Sequence, residues 1–582
     1  MVSLHYLCLS LRLPWRREKE LQLLTESPST CWSAYRNREL FRGWRVASFI
    51  LVVVFSQSLA NIVAVSNLMS YLTDVLDEKL PQAAATANIR IGVTALMAIF
   101  AAFLADAYIG RYQTVLYATI IYVTGLSLLT VSASHLALKT RTSIGSEQIA
   151  MFRVGLFLVA LGKAGLAPAL KVFGADQLTS SSEELEDKRS KTRINFWWFA
   201  GVISGAATGI VLLAFVESKQ EWVIGYGVLA LTMLVALVVF LSGKSVYSYK
   251  APCGSVLARA FHVFVAALLK RHLQCPPGDC QLYQGDCSQL LPQTSSLRFL
   301  DKAAIIEPVS EDLEVQRNNW RLCTVTEVEE TKLLLRMFPM WTTFLIYGLV
   351  RSLGSTFFLQ QGSNMNRNLG SIRLPLPFLL IFSKFSSVQF DWHCEQLSKK
   401  LPGFAQIFTP TRRIGIGMFF SVLCCCTASL VEIRRLRVVT QHGLLDKPKD
   451  TVPMSILWLA PQFLLLGAMD GIVYPGIKNF FRGQVPESMR NFGPSFSVSI
   501  IGAGSLLSVA VIAASDISSR QGGQQGWFAD TVNRSRLDYF FWTLTILSCI
   551  NLCFYGLVFS IYSYRKASRE AELNGDIVDI NL

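Results

Sequence analysis

Two charged residues and a glycine stand in a short turn between two long apolar runs of the chain. Asp106, Gly110 and Arg111 follow the pattern Asp-x-x-x-Gly-Arg, and apolar residues dominate the segments on both sides. A charge at the mouth of a membrane span loses hydration, which costs several kcal/mol unless the charge is partnered. We therefore expect Asp106 and Arg111 to be partnered and to have a function, although the turn could also be an ordinary short loop.

An arginine and an aspartate lie well inside later apolar runs. Arg351 stays protonated and offers a planar fork of N–H donors, which suits planar oxyanions and carboxylates. Asp470 is the one acid that the sequence places well inside a predicted span, and it is the candidate proton-binding residue. Two interpretations of Arg351 remain open: it contacts an anionic substrate, or it pairs with Asp470 or extends to an interface.

Further cations lie in or near the apolar runs, so the interior is predicted to carry a net positive charge. They are Arg153, Lys163, Lys171 and Lys478. Each lysine taken alone is typical of a side chain that extends from a span end towards water. Taken together, these residues favour an anionic solute.

Other kinds of chemistry find little support. All six histidines lie in tails, loops or span ends, and no phosphate-binding glycine loop or catalytic triad is present. Cys275, Cys280 and Cys287 fit no zinc pattern. We therefore expect no enzyme activity, cofactor or metal. The net charge of +14 is spread over tails and loops, which does not indicate nucleic-acid binding.

The elements that would position these residues are membrane-spanning helices. Of the 582 residues, 52% are hydrophobic and only 16% are charged, against about 25% charged in an average soluble domain. A span needs about 20 mostly apolar residues. The weakest of twelve candidate spans is the eighth, which is short and contains Lys384. The twelve are residues 46–72, 90–108, 113–133, 149–172, 195–216, 222–242, 338–358, 374–391, 414–431, 454–477, 494–514 and 539–562.

The spans divide into two groups of six, which predicts an all-α integral membrane protein in two bundles. The predicted parts are an N-terminal tail (1–43), a first bundle (44–242), a linker with a candidate interfacial helix (243–337), a second bundle (338–563) and a C-terminal tail (564–582).

The distribution of basic residues predicts the orientation of the chain. Lys and Arg concentrate in the tails and in loops on one side, so both termini are predicted to face the cytosol. Arg434, Arg435 and Arg437 fall on the other side in this count. Asn533 begins a glycosylation sequon in the last outward loop, which agrees with the orientation.

Several segments along the chain, in their order and spacing, form a recognisable set of motifs. They are Phe41–Phe49 with Asn67–Thr73, Asp106–Thr114, Phe173–Gln177, Arg336–Trp341, Gln361–Met365, Arg413–Met418, and Pro461–Asp470 followed by Phe480-Phe481 and Gln484–Pro486. Together they resemble the plant nitrate/peptide transporter family, a branch of the proton-coupled oligopeptide transporters of the major facilitator superfamily. The resemblance covers residues from about 40 to 565. It implies two six-helix bundles that alternate access to a central site.

The chain departs from the family pattern where protons are usually bound. Family members carry Glu-x-x-Glu-Arg in the first helix, and the corresponding positions here are Val54, Gln57 and Ser58. The family also pairs a lysine in the fourth helix with a glutamate in the tenth, where this chain has Ala167 and Asn479. Removing one member of a buried ion pair costs about 3–5 kcal/mol, whereas replacing both is often neutral. In the seventh helix, the resemblance to nitrate-transporting members implies an anion-contacting histidine where this chain has Arg351.

These observations predict a secondary-active or facilitative transporter of a small anion, such as nitrate or an organic carboxylate. Arg351, Asn479 and Gln57 are the predicted substrate contacts. The turn with Asp106, Gly110 and Arg111 resembles the inter-helix signature of the major facilitator superfamily, which implies that it acts as a gate. Proton coupling is the family default, but the residues favour uniport or exchange. Peptide transport is a weaker alternative. The alternative from a different functional class is a protein that does not transport, either a sensor or a degenerate paralogue. The altered end of the eighth helix, at Val388–His393, favours this alternative. The expected location is the plasma membrane or the vacuolar membrane, with the lipid bilayer and the solute as partners.

Overall fold

The computed structural model describes residues 46–64, 68–138, 146–178, 184–219, 221–249, 256–273, 282–284, 294, 297–306, 320–401, 403, 408–447, 450–484, 493–520 and 526–573. The predicted N-terminal tail (1–43) and the cysteines Cys275, Cys280 and Cys287 lie outside these residues.

Six long helices make up the N-terminal half, because each contains an apolar run long enough to cross a bilayer. They are α1 (Val46–Ala64), α2 (Leu80–Leu104), α3 (Arg111–Leu138), α4 (Ser146–Leu178), α5 (Glu184–Lys219) and α6 (Trp222–Ser242). A short helix, Leu68–Ser70, continues into a π-helical turn, Tyr71–Val75, between α1 and α2.

The second helix begins ten residues earlier than predicted. The predicted span began at residue 90, beyond the polar residues Gln82 and Asn88. In the structure α2 begins at Leu80, where Lys79 is extended and a proline occupies the first turn. Proline is well tolerated there because the first N–H groups of a helix have no intrahelical acceptor. Arg90 is therefore an internal residue of the span.

The linker contributes α7 (Val256–Leu269), which covers the candidate interfacial helix, and a 3-10 turn, Arg298–Ala304. One side of α7 is buried with that turn and with α8 in a small separate core, to which Val263, Leu300 and Val328 belong. Phe261 and Leu268 on α7 are exposed.

The C-terminal half starts with a broken helix. Val325–Thr343 and Leu345–Gly362 are bent by 44° at a short break. The helices are α8 (Val325–Arg336), α9 (Phe338–Thr343), α10 (Leu345–Leu353), α11 (Phe357–Gly362), α12 (Phe378–Lys400), α13 (Pro410–Gln441), α14 (Ala460–Gln484), α15 (Gly493–Ser519) and α16 (Leu537–Leu573). Strand β1 (Met365–Asn366) pairs in parallel with β4 (Val452–Ser455), and β2 (Asn368–Leu369) pairs antiparallel with β3 (Ile372–Arg373).

In the described part of the chain, ten helices are long and apolar enough to span a membrane, or eleven if the bent pair is one span. The remaining predicted span, residues 374–391, coincides with α12. That helix has 23 residues, but Lys384, Asp391 and Glu395 make it more polar than the others. It packs against α14.

The two halves meet at the side where α1 ends and α2 begins. Helix α2 lies against α15 so closely that a Cβ on Gly502 would stand 2.7 Å from the Cβ of Ala95. Asn88 Nδ2 donates to Ser508 Oγ at 3.1 Å across the same interface. Small residues permit this close approach of two membrane helices.

We predict that Gly502→Ala lowers the melting temperature of the protein, because the added methyl group meets backbone-fixed atoms of α2. Overpacking of this kind costs about 1–3 kcal/mol. The melting temperature can be followed by size-exclusion chromatography of heated samples. Gly556→Ala is the matched control, since a Cβ on Gly556 has no neighbour within 4 Å. Equal melting temperatures for the two variants would contradict the tight α2–α15 contact.

Candidate functional site

The Asp-x-x-x-Gly-Arg turn joins α2 to α3 and is held in place by ion pairs. Residues Ala105–Ile109 form a π-helical turn, and Gly110 follows with a φ of 87°, which favours glycine. Arg111 Nε donates to Asp106 Oδ1 at 3.0 Å, and its Nη1 donates to Asp176 near the end of α4. One guanidinium thus links α2, α3 and α4, and both charges of the predicted gate are paired.

A similar charged junction occupies the corresponding place in the second half. Arg413, in the first turn of α13, donates through Nη2 to Asp391 Oδ1 of α12 at 2.7 Å. The same guanidinium donates to the carbonyl oxygens of Gly471 and Ile472 in α14, at 2.8 and 2.9 Å. The segment Val388–His393 departs from the family pattern, yet its aspartate still forms an ion pair with an arginine.

Asp470 on α14 is the centre of a charged cluster inside the C-terminal half. Lys384 Nζ donates to its Oδ2 at 2.8 Å, and Tyr347 OH donates to its Oδ1 at 2.6 Å. Arg351 Nη1 lies 3.0 Å from the same Oδ1. Two cations and one anion give this cluster, hereafter the Asp470 cluster, a net charge of +1. A carboxylate that is surrounded by cations and donors is stabilised in its ionised form.

Of the two interpretations of Arg351 that the sequence left open, the structure shows the pairing with Asp470. The Nη1 of Arg351 lies 3.0 Å from Asp470 Oδ1 and also donates to Tyr347 OH at 3.1 Å. Its Nε and Nη2 form no hydrogen bond with the described residues, and 24% of the side chain is exposed. The guanidinium also lies 5.5 Å from the ring centroid of Tyr474. Contact between Arg351 and an anionic substrate stays a prediction.

Gln57 and Asn479, the other predicted substrate contacts, are not joined to this cluster. Gln57 is half-buried on α1, and Asn479 is exposed on α14, nine residues beyond Asp470. Neither side chain hydrogen-bonds to another described residue. Nine residues of α-helix correspond to about 14 Å along the axis, so Asn479 lies away from the Asp470 cluster.

The N-terminal half contains two cations that the described residues do not neutralise. Lys163 on α4 is hydrogen-bonded through Nζ to Asn61 Oδ1 on α1. It lies one helical turn before Ala167, the position where the resemblance led us to expect a lysine. Arg90 on α2 is 5% exposed, and its Nε has no hydrogen-bond partner.

A second buried ion pair lies in the C-terminal half, and sequence analysis missed it. Arg435 donates through Nε and Nη2 to both oxygens of Glu432, at 2.9 and 2.7 Å, and both side chains are fully buried. Gln361 Nε2 donates to Glu432 Oε2 at 2.7 Å. The predicted span ended at residue 431, whereas α13 continues to Gln441. An acid three residues before an arginine on one helix was the available signal.

Asn533, the residue of the predicted glycosylation site, is only 1% exposed. Its Oδ1 accepts from Arg435 Nη1 at 2.8 Å, and its Nδ2 donates to the carbonyl of Leu444 at 3.2 Å. In the folded protein this amide nitrogen is therefore already bonded and out of reach of a glycan. The burial argues against the glycosylation that the sequon suggested.

Comparison with known proteins identifies the family. Residues 112–528 match the family described as PTR2, the POT family. The chain belongs to the POT family. This POT family member is 35% identical over 544 residues to Protein NRT1/PTR FAMILY 5.7 of Arabidopsis thaliana. The alignment covers 90% of this chain and 89% of that protein. It is 35% identical over 549 residues to Protein NRT1/PTR FAMILY 8.3 of the same plant, covering 91% and 93%.

Solved structures share the fold of this POT family member. An auto-inhibited POT family peptide transporter aligns with a TM-score of 0.63 at 16% identity, covering 88% of this chain and 96% of that one. The POT family transporter PepTSo aligns with a TM-score of 0.61 at 15% identity, covering 89% and 98%. The predicted all-α membrane fold and the resemblance to the nitrate/peptide transporter family are confirmed. The chain is accordingly a membrane transporter.

We predict that Asp470→Asn destabilises this POT family member by about 3–5 kcal/mol, because Arg351 and Lys384 lose the carboxylate that compensates them. Adding Arg351→Gln to Asp470→Asn should recover part of the loss, since it removes one uncompensated cation. Melting temperatures of the purified variants measure both effects. Asp516→Asn is the matched control, because Asp516 forms an ion pair with the exposed Arg520. Equal melting temperatures for Asp470→Asn and Asp516→Asn would contradict the role given to Asp470.

Proposed function

We propose that this POT family member carries a small anion, such as nitrate or an organic carboxylate, by alternating access between its two halves. The observation that carries the proposal is the charge balance inside the spans. Arg351 and Lys384 share the single carboxylate of Asp470, and Arg90 and Lys163 form no ion pair with the described residues. Buried charge without compensation is costly in a membrane. A negatively charged solute would lower that cost during transport.

Arg351 is the proposed first contact for the anion. A guanidinium binds a planar oxyanion through two parallel N–H donors, and its Nε and Nη2 edge is available for this. Asp470, Tyr347 and Tyr474 fix the orientation of the guanidinium from the other side. Lys384, 63% exposed and held by Asp470, adds a second positive charge at the same place. Gln57 and Asn479 remain proposed neutral contacts elsewhere along the path.

Uniport or exchange is proposed in preference to proton symport. The first helix has no carboxylate at the family's proton-binding positions, where Val54, Gln57 and Ser58 stand. Asp470, the remaining candidate, is engaged by two cations and a tyrosine, which favours its permanent ionisation. A peptide's charged amino terminus would meet the same excess of cations, which disfavours peptides as the solute.

The charged turn at Asp106, Gly110 and Arg111 is the proposed gate. Its ion pairs join three helices of the first half, and Asp391 with Arg413 provides the counterpart in the second. The presence of both junctions favours a working transporter over a degenerate paralogue. Rearrangement of such pairs is a physically reasonable step when two halves rotate.

We predict that oocytes expressing this chain take up labelled nitrate at a rate that is flat with external pH. Arg351→Ala should reduce uptake about tenfold or more, because a charge-assisted contact is lost. Arg111→Gln should reduce flux while nitrate binding is retained. Arg520→Ala, which removes an exposed arginine directly after α15, is the matched control.

Three outcomes would revise this proposal. Uptake that rises steeply at acidic pH contradicts the uncoupled mechanism, and normal uptake by Arg351→Ala contradicts the assigned contact. Binding without any flux in the unmodified chain, with the protein present at the cell surface, would favour the sensor.

We also propose that both termini face the cytosol, at the plasma membrane or the vacuolar membrane. Arg434 lies 3.8 Å from the ring centroid of Trp458, and Arg435 pairs with Glu432. Two of the three arginines that disagreed with the orientation are therefore used in packing rather than in setting topology. A C-terminal tag should react with antibody after selective permeabilisation of the plasma membrane with digitonin. Reaction in intact cells would contradict this orientation.

A further inference from the structure

Helix α7 of the linker is apolar on two opposite faces. One face, which includes Val263 and Ala266, is buried in the small core with α8 and the 3-10 turn. The opposite face presents Phe261 and Leu268, which are 60% and 67% exposed. These two residues lie about two helical turns apart and therefore share one side of α7. A helix that rests on a core normally places polar residues on the opposite face, so this exposed apolar face requires a further partner.

Two aromatic side chains extend the exposed face beyond α7. The ring of Trp320 is 42% exposed and lies 6.0 Å from the ring of Phe261, edge to face. Phe299, in the 3-10 turn that packs on α7, is 51% exposed. Tryptophan is typical of the boundary between membrane and water, because its ring is apolar and its N–H is polar. Phe261, Leu268, Phe299 and Trp320 are hereafter the linker apolar face.

Exposed arginines accompany the linker apolar face. Arg271 follows the end of α7, and its carbonyl oxygen accepts from Lys302 Nζ at 2.9 Å. The three exposed arginines are Arg271, Arg298, which precedes Phe299, and Arg321, which follows Trp320. Apolar side chains together with arginines form a surface that is complementary to a bilayer containing anionic lipids.

The acids in the described part of the linker do not offset these arginines at the surface. Asp301 and Glu329 are buried, and both pair with the fully buried Lys332, at 2.6 and 2.7 Å. Glu330 is buried as well, and Glu327 completes the capping box at the start of α8. The pairing of Asp301 with Lys332 also ties the 3-10 turn to α8, so the linker apolar face is held in a fixed position on α8.

The position of α8 favours the bilayer as the partner. Helix α8 leads through Met337 into α9 and the bent apolar pair of helices, whose second part carries Arg351. Because α7 packs against α8, the linker apolar face is attached to one end of a membrane span. A symmetric contact with a second copy of the chain would bring the same arginines together, and like charges at an interface are unfavourable.

We propose that the linker apolar face enters the boundary between headgroups and acyl chains of the cytosolic leaflet, and that the three arginines bind the headgroups of anionic phospholipids. The face thereby anchors the cytosolic end of the helix that leads to Arg351. This role requires a cytosolic linker, which the digitonin experiment above tests separately.

Photo-cross-linking of the full-length protein in vesicles tests this assignment. The photoreactive residue p-benzoylphenylalanine replaces Phe261, Leu268 or Ile550, one at a time, in vesicles of phosphatidylcholine and phosphatidylserine at a four-to-one ratio. Mass spectrometry then identifies what each position has attached to. Phe261 and Leu268 are exposed, so their replacement leaves the linker core intact. Ile550, 61% exposed on α16 in a stretch without charged residues, is the matched control.

We expect lipid adducts at positions 261 and 268, with a phosphatidylserine share about threefold or more above that at position 550, since each arginine near an anionic surface favours binding severalfold. Arg271→Gln, Arg298→Gln and Arg321→Gln in combination should lower that share at position 261 to the value at position 550. The corresponding three changes to Lys should retain the enrichment. If the Gln combination does not fold, a rise in NaCl concentration with the arginines intact should lower the enrichment instead, because salt screens exposed charges.

Three outcomes would overturn the assignment. Attachment of positions 261 and 268 to another segment of this chain or to a second copy would show that protein covers the face. An absence of lipid adducts at both positions, with adducts at position 550, would show that the face lies in water. A phosphatidylserine share equal to that at position 550, with the arginines intact, would contradict the binding of anionic lipid.

Discussion

The sharing of one carboxylate between two cations is the constraint on which the candidate site depends. Asp470 is nearly buried, and it contacts Arg351, Lys384 and Tyr347 at 2.6 to 3.0 Å. Burial of an ion is unfavourable unless opposite charge and hydrogen bonds compensate it. Asp470 compensates one of its two cations in full. The remaining positive charge, together with the open edge of Arg351, is what makes this half receptive to an anion.

Several other charged side chains among the described residues each have a partner of opposite charge. Arg435 pairs with Glu432, and Arg111 pairs with both Asp106 and Asp176. Arg413 combines Asp391 with two backbone carbonyls and so ties α12, α13 and α14 together. Ion pairs of this kind fix helices against one another. In the Asp470 cluster, by contrast, two cations share one carboxylate, and this is the place for which we propose the substrate anion.

Sequence patterns predicted the helices well, since a span is defined by a local run of apolar residues. They also singled out the Asp106–Arg111 turn, Arg351 and Asp470, because charges in apolar surroundings are conspicuous. Sequence patterns did not reveal that Lys384 pairs with Asp470, because a lysine made the eighth span less apolar. They also did not place Arg90 inside a helix, because the predicted span began at that residue. Each of these roles depends on the rotation and packing of helices far apart in the chain. Lys384 and Asp470, for example, are 86 residues apart.

Burial explains the two remaining differences between sequence and structure. The sequon at Asn533 is a local pattern, but the side chain is held by Arg435 and by a backbone carbonyl that lies 89 residues away. Glu432 lay just beyond the predicted end of a span, so its pairing with Arg435 was not considered. The contacts of Asn533 are long-range, so no local pattern encodes them. The Glu432–Arg435 pair is local, and it was missed because the predicted span ended at residue 431.

The binding of nitrate to the purified protein tests most directly whether Arg351 contacts the anion, because binding depends neither on transport nor on coupling to protons. We expect saturable binding by calorimetry, with a Kd that is raised about tenfold or more in Arg351→Gln and is unchanged in Arg520→Gln. The affinity should be the same at mildly acidic and neutral pH, since the proposed carrier is not coupled to protons. Equal affinities for the unmodified protein and Arg351→Gln would contradict the assignment of Arg351 as the anion contact.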